Sequence, residues 1–296
     1  MKSKIVITIP AYNEEENISR VIREIKNVMD KTEYNYKLLV VDDGSIDKTK
    51  DLAKKEGAIV FSHLSNKGLA ETFRTEMNKC LELNVDIIVH TDADGQYFAE
   101  DIPRLIKKIE EGYDLVLGSR FEGKIEHMPF LKRLGNKAFA VVFRHLIGKK
   151  LTDTTTGFRA FTRKVAEDIK YVNQFTYTQE QIIRAAKQKF KITEIPVSTR
   201  KTRPSRLFKN PLEYAIKAWI NIFRIYRDYD PLKFFGLIGL IFLLLGIILG
   251  VWLIYLYITR GFVGHIPLTI VSMLLVLIGI QTILFGFLAD MMRKVK

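Results

Sequence analysis

The sequence predicts an α/β chain in which a doubly wound, mostly parallel sheet is followed by an amphipathic helix and a two-helix transmembrane hairpin. Two observations predict the sheet. Short runs rich in Val, Ile and Leu at Lys4–Ile9, Lys37–Val41, Ala58–Phe61, Asp86–His90 and Asp114–Leu117 read as strands covered on both faces. The stretches between them carry apolar residues at helical spacing, as in Ile18, Val21, Ile22, Ile25, Val28 and Met29, so strands and helices alternate as βαβ units do. A third observation predicts the hairpin: Phe234–Tyr257 and Ile266–Ala289 contain no Asp, Glu, Lys or Arg, and each is long enough to cross a bilayer.

The charge pattern separates these regions further. The chain of 296 residues carries a formal net charge of +13, with Lys and Arg spread along the front and clustered before the first span. That placement favours a membrane surface as partner, and no nucleic-acid-binding motif accompanies it. Cys80 is the single cysteine, which excludes an internal disulfide and fits a reducing compartment. The apolar run before Glu14 is too short for a signal peptide, so the front domain is expected not to be secreted.

Three regions follow: a front domain over 1–208, an amphipathic segment over 209–230, and the hairpin over 231–296. Leu212, Ile216, Trp219, Phe223 and Tyr226 share one helical face opposite Glu213, Lys217, Asn221, Arg224 and Asp228, which reads as a helix lying in the membrane interface. A short turn, Thr259–His265, joins the spans, so both soluble ends share one side. Arg224, Arg227 and Lys233 before the first span and Arg293, Lys294 and Lys296 after the second outweigh Arg260 in the turn, which places that side in the cytoplasm. Gly236, Gly239, Gly246 and Gly250 permit close helix packing, including between copies in a homo-oligomer.

In a doubly wound sheet the ligand sits at the carboxyl ends of the strands, and here those positions are polar. Pro10-Ala11-Tyr12-Asn13-Glu14 follows the first strand, Asp42-Asp43-Gly44-Ser45 the second, Asp92-Ala93-Asp94-Gly95-Gln96 the fourth and Gly118-Ser119-Arg120 the fifth. Two carboxylates spaced as Asp92 and Asp94 repel one another, and a hard divalent cation relieves this while gripping a diphosphate. The bland reading is a solvated acidic turn; the company of the other rim motifs favours metal. Asp42 to Ser45 reads either as a turn with a helix cap or as a carboxylate site for a nucleobase or ribose. Arg120, Arg159, Arg200, Arg203 and Arg206 form a second set suited to bidentate phosphate contacts, against the plain alternative of a solvated face.

These motifs, with Asn66-Lys67-Gly68 and Thr156-Gly157-Phe158-Arg159, stand in an order that resembles glycosyltransferase family 2, specifically its polyisoprenyl-phosphate sugar synthases. The resemblance implies the glycosyltransferase A type of nucleotide-sugar-binding sheet. It further implies that Pro10, Tyr12, Glu14, Val41 and Asp43 hold the nucleotide, that Asp92 and Ala93 lie along its ribose and diphosphate, and that Asp94 and Gln96 ligate Mg2+ or Mn2+. Arg120, Arg200 and Arg206 would meet phosphates of the donor or of the lipid acceptor, with Ser205 beside them. Where the family reads Arg-x-x-Gly-x-Ser-Lys, this chain has Arg200-Lys201-Thr202-Arg203-Pro204-Ser205-Arg206, with Arg203 in place of Gly and Arg206 in place of Lys. Asp153 and Glu180 stand as candidate acceptor-side carboxylates or as ordinary cap and surface acids.

The reaction expected is inverting transfer of a hexose from a nucleotide sugar to a polyisoprenyl (dolichyl or undecaprenyl) phosphate. Transfer to another lipid or to a cell-envelope polymer would share the donor motifs, although the Gln-x-x-Arg-Trp element of processive synthases is absent. A non-catalytic membrane scaffold would not need Asp92, Asp94 and Gln96. A dinucleotide-dependent oxidoreductase would need a Gly-x-Gly-x-x-Gly turn that the first strand lacks.

Overall fold

The computed structural model of the chain describes residues 3–121, 144, 148, 151–169, 171, 177–200, 220, 223–224, 227–262 and 266–294. They fall into two compact units, Met1–Glu213 and Tyr214–Lys296. Most of the expected interfacial helix, together with Arg203, Ser205 and Arg206, lies outside the described residues.

In the first unit, β1 (Lys4–Ala11), β2 (Asn35–Asp42), β3 (Ile59–Ser62), β4 (Ile87–His90), β5 (Leu115–Ser119), β6 (Arg159–Thr162) and β7 (Ile192–Pro196) form one sheet in the order β3-β2-β1-β4-β6-β5-β7. All pairings are parallel except those of β6, which runs antiparallel between β4 and β5. The sequence reading assigned no strand to β6. The segment Arg-Ala-Phe-Thr is four residues long and begins with an arginine, so it carries none of the apolar continuity that marks the others.

Strand period decides which side chain meets which helix. Ile5, Ile7 and Ile9 of β1 join the core with Ile18, Val21, Ile22 and Ile25 of α1 (Ile18–Met29) and with Ile102, Leu105 and Ile106 of α4 (Ile102–Glu110). Thr8 points to the opposite face, where its hydroxyl bonds Glu76 of α3 (Leu69–Glu82). Helices α2 (Thr49–Lys55), α5 (Arg163–Asp168) and α6 (Thr178–Lys187) complete the unit. Because β1, β2, β4 and β5 share one direction, the loops that follow them emerge along one rim, as the sequence predicts.

The second unit holds α7 (Pro231–Arg260) and α8 (Ile266–Lys294), of 30 and 29 residues, each about 45 Å long at 1.5 Å per residue and therefore able to span a bilayer. Their apolar side chains face outward, Leu244, Ile254 and Leu284 among them. Three glycines bring the helices together: a Cβ on Gly239 would lie 2.6 Å from the Gly279 carbonyl oxygen, one on Gly246 2.8 Å from Val276 N, and one on Gly279 2.7 Å from Leu243 N. The Ser272 hydroxyl adds a 2.9 Å bond to the Gly246 carbonyl across this seam. Gly239 and Gly246 are thus used inside the hairpin, while Gly236 has nothing within 4 Å.

Candidate active site at the sheet rim

The first two rim loops hold each other. Asn13, at φ 52°, donates its backbone N–H to Ser45 Oγ (2.9 Å) and accepts at Oδ1 from Ile46 N (3.0 Å). Glu14 donates its N–H to Thr49 Oγ1 (2.7 Å). Pro10 lies beside Val41 in register, and Val41 is completely buried, so its side chain offers a nucleotide no surface. Glu14 is buried, whereas Tyr12 is 40% exposed at the rim.

Asp43 is committed to the same scaffold. Its carboxylate accepts from Lys67 N (2.9 Å) and Gly68 N (2.8 Å) and lies 2.7 Å from His63 Nδ1. The loop it pins is the Asn66-Lys67-Gly68 motif. Gly44 permits this closeness: at φ 72° its Cα lies against the Ser65–Asn66 backbone, where a Cβ would come within 2.6 Å of a carbonyl carbon. Asp43 therefore orders that loop.

After β4 the acidic loop turns at Gly95 (φ 72°), and Asp94 Oδ1 accepts from Gln96 N (2.9 Å). Burial, and next the charge of Asp94, push the Asp92 pKa up to about 6, against the opposing pull of His90 and Arg120. The Asp92 carboxylate also rests on Gly157, where a Cβ would lie 2.9 and 3.1 Å from its two oxygens. Among the described residues no group of three His, Cys, Asp or Glu side chains converges on a point. Two carboxylates and an amide nonetheless suit a hard cation that takes its remaining oxygens from water and a diphosphate. The charge of Asp94 adds to burial in raising the Asp92 pKa, so the two carboxylates stand close enough to repel, a repulsion that a cation would relieve.

The arginines divide. Arg120 pairs with Asp153 in a buried fork, Nε to Oδ2 at 2.6 Å and Nη2 to Oδ1 at 3.0 Å, with a further bond from Nη2 to Thr155 (2.8 Å). Burial alone raises a carboxyl pKa, but the charge and hydrogen bonds of Arg120 outweigh it and hold Asp153 below its ordinary value. Asp153 is wholly buried with both oxygens taken, so it anchors Arg120 and is not open to an acceptor. Glu180 is buried as well and receives Arg184 Nε at 2.8 Å. Arg159, grouped by sequence with the phosphate-binding arginines, is fully buried and bonds Thr156 O, Thr178 O and Gln181 Oε1, which removes it from that set.

Arg200 remains at the rim. Its N–H donates to the Gln96 carbonyl (2.9 Å), Tyr97 pairs with Thr199 in an antiparallel bridge, and its guanidinium stacks 4.3 Å above the Phe98 ring. The acidic loop and the start of the arginine segment are therefore one joined structure.

Sequence reasoning missed a polar cluster beneath this loop. His90 Nδ1 lies 3.0 Å from the Gly157 carbonyl, which can only accept, so this nitrogen carries the proton. His90 Nε2 lies 3.2 Å from Glu76 Oε2, and the Tyr177 hydroxyl stands 3.2 Å from the same nitrogen. The signal was an acid on an apolar helical face, since Glu76 alternates with the buried Phe73, Met77 and Cys80.

Comparisons with known proteins agree with this architecture. The family described as Glycosyl transferase family 2 matches residues 6–170, and the Glycosyltransferase family 2 C-terminal transmembrane region matches 221–293. The chain is 30% identical to Glycosyltransferase AglJ of Haloferax volcanii over 97% of its own length and 93% of that protein. It is 33% identical to a Dolichyl-phosphate hexose transferase of the same organism, over 66% of this chain and 82% of that one. With Dolichol-phosphate mannosyltransferase of Pyrococcus furiosus the identity is 28%, over 87% and 73%. Among solved structures, glucosyl-3-phosphoglycerate synthase from Mycobacterium tuberculosis in complex with Mn2+, uridine-diphosphate and phosphoglyceric acid shares the fold, with TM-score 0.58 at 20% identity over 74% of this chain and 78% of that one. With its rim loops, its two apolar helices and these matches, the chain belongs to glycosyltransferase family 2 and is a glycosyltransferase that carries the family's transmembrane region.

Proposed function

We propose that the chain transfers a hexose from a nucleotide sugar of the UDP-glucose or GDP-mannose type to the phosphate of a dolichyl or undecaprenyl lipid, with inversion and with Mg2+ or Mn2+. One observation carries the reading: the Arg200 N–H bond to Gln96 O joins the loop suited to a donor diphosphate to the segment suited to an acceptor phosphate. The relatives that act on dolichyl phosphate support the acceptor class. In this reading 1–208 is the catalytic domain, 209–230 the interfacial helix and 231–296 the anchor. The excess of Arg and Lys outside the hairpin's turn favours a cytoplasmic catalytic domain.

The chemistry asks little of a base. A lipid monophosphate has a second pKa near ~6, so its attacking oxygen is largely ionised at neutral pH. Asp153, locked to Arg120, need not serve as one. The phosphate oxygen attacks the anomeric carbon as the bond to the diphosphate breaks, and the electron pair leaves with the nucleoside diphosphate. A bound cation supplies compensation for the charge on that leaving group. Asp94 and Gln96 would hold it, with Asp92 along the diphosphate. Arg200 and, through its remaining Nη1, Arg120 would neutralise phosphate oxygens.

The test is to offer the purified chain a panel of nucleotide sugars with dolichyl or undecaprenyl phosphate and to identify the product by mass. A sugar-phospholipid is expected, and its formation should stop on chelation of divalent metal. Transfer to some other lipid or to a polymer, with no phospholipid product, would refute the acceptor assignment.

A further inference from the structure

Glu24 stands on α1, outside every rim motif, yet it connects the two elements that the proposed reaction needs, directly to Arg200 and through Arg20 to the acidic loop. Its carboxylate receives Nη1 of Arg200 at 2.7 and 3.0 Å, and Arg20 Nη1 lies 3.6 Å away. Arg20 in turn covers the acidic loop, for a Cβ on Gly95 would come 2.5 Å from its Nη2. One carboxylate thus bridges an arginine lying over Gly95 and an arginine whose backbone holds Gln96.

We propose that Glu24 is a positioning residue for the acceptor phosphate, resting on the reading of Arg200 given above. Nη1 is taken by Glu24 and the guanidinium plane is set by Phe98, while Nε and Nη2 have no hydrogen-bond partner among the described residues. Those two N–H groups form one edge of the fork, the edge that a phosphate grips with two parallel bonds. Without Glu24 the long side chain regains its rotamers, and the fork must be ordered each time lipid binds. The negative charge of Glu24 opposes an incoming phosphate. In a partly exposed site this repulsion is screened, so the gain in order outweighs it.

The experiment compares full-length wild type with E24A and E24Q in detergent, titrating dolichyl phosphate against the nucleotide sugar that wild type uses. E24A should raise the acceptor KM roughly tenfold, about 1.4 kcal/mol, and move the donor KM less than twofold. E24Q keeps an oxygen that accepts from Nη1 and should recover most of the loss. An unchanged or lowered acceptor KM in E24A overturns the proposal, as does a parallel rise in donor KM, which marks general disruption. Should E24A fail to accumulate, E24Q and E24D are compared: wild-type acceptor KM in E24Q with a raised value in the shorter E24D supports the proposal, and the reverse order refutes it. A wild-type protein that transfers to no lipid phosphate removes the functional reading and this role with it. A working wild type beside an indifferent E24A removes the role of Glu24 alone.

Discussion

Gly157→Ala tests whether Asp92 is held where the reaction needs it. Gly157 is outside the left-handed region, so alanine brings no backbone strain and the effect is steric. The new methyl would sit 2.9 and 3.1 Å from the Asp92 oxygens and 3.3 Å from the Tyr177 hydroxyl. Carbon-to-oxygen contacts settle at about 3.3–3.6 Å, so the carboxylate must retreat by roughly 0.5 Å. Tyr177 is buried and stacked on Phe73 at 3.7 Å between ring centroids, so it cannot give way in its place. A displacement of about 1 Å in a reacting group can cost ~100-fold in rate, so half of that predicts about a tenfold loss. Overpacking adds about 1–3 kcal/mol of destabilisation. The assay is sugar transfer as a function of Mn2+ concentration, with thermal unfolding measured in parallel. A G157A protein that keeps both the wild-type rate and the wild-type metal requirement would refute the claim that this glycine seats Asp92.

Other outcomes follow from the same geometry. Asp94→Ala should abolish transfer while the protein stays folded, and undiminished turnover in metal-replete membranes would reject the ligand assignment. Asp153→Ala leaves the Arg120 cation buried without its partner and should cost about 3–5 kcal/mol; an unaltered unfolding temperature would show that the fork is not structural. Without metal, burial and the charge of Asp94 push the Asp92 pKa up to about 6, and a cation held beside it by Asp94 and Gln96 would favour its ionised form. Cation affinity should therefore be flat above pH 7 and weaken as Asp92 gains its proton below 6, and a metal-activation constant unchanged between pH 5 and 7 would contradict the raised value.

The parallel strands β1 to β5 were legible because each holds a run of branched apolar residues closed by a polar turn, and because the βαβ rhythm fixes their shared direction. β6 was not, since an antiparallel strand inserted between β4 and β5 is specified by contacts distant in sequence. Its leading Arg159 reads as a surface charge until Thr178 and Gln181 are seen to receive it. The spans were evident from the absence of charge alone. The rim motifs come together along one sheet edge, as the strand directions predict; what the sequence did not mark was which of their side chains are spent on holding the loops.

That division explains why the family motifs are denser in charge than a substrate requires. Asp43 spends its carboxylate on Lys67, Gly68 and His63, Asp153 spends both oxygens on Arg120, and the Asn13 side chain reaches Ile46. Loops bearing backbone N–H groups at a sheet rim have no ladder to satisfy them, so a neighbouring carboxylate or amide is the means of holding several loops in one arrangement. Asp92 is of the other kind. Burial and the charge of Asp94 push its pKa up to about 6 against the pull of His90 and Arg120, and it is supported from below by Gly157 and through it by the buried His90. A fold that fixes its loops with one set of acids and leaves another out of those bonds keeps it for a ligand; in the proposed function that ligand would be the cation and its diphosphate, and such preorganisation would serve transfer to an already ionised phosphate.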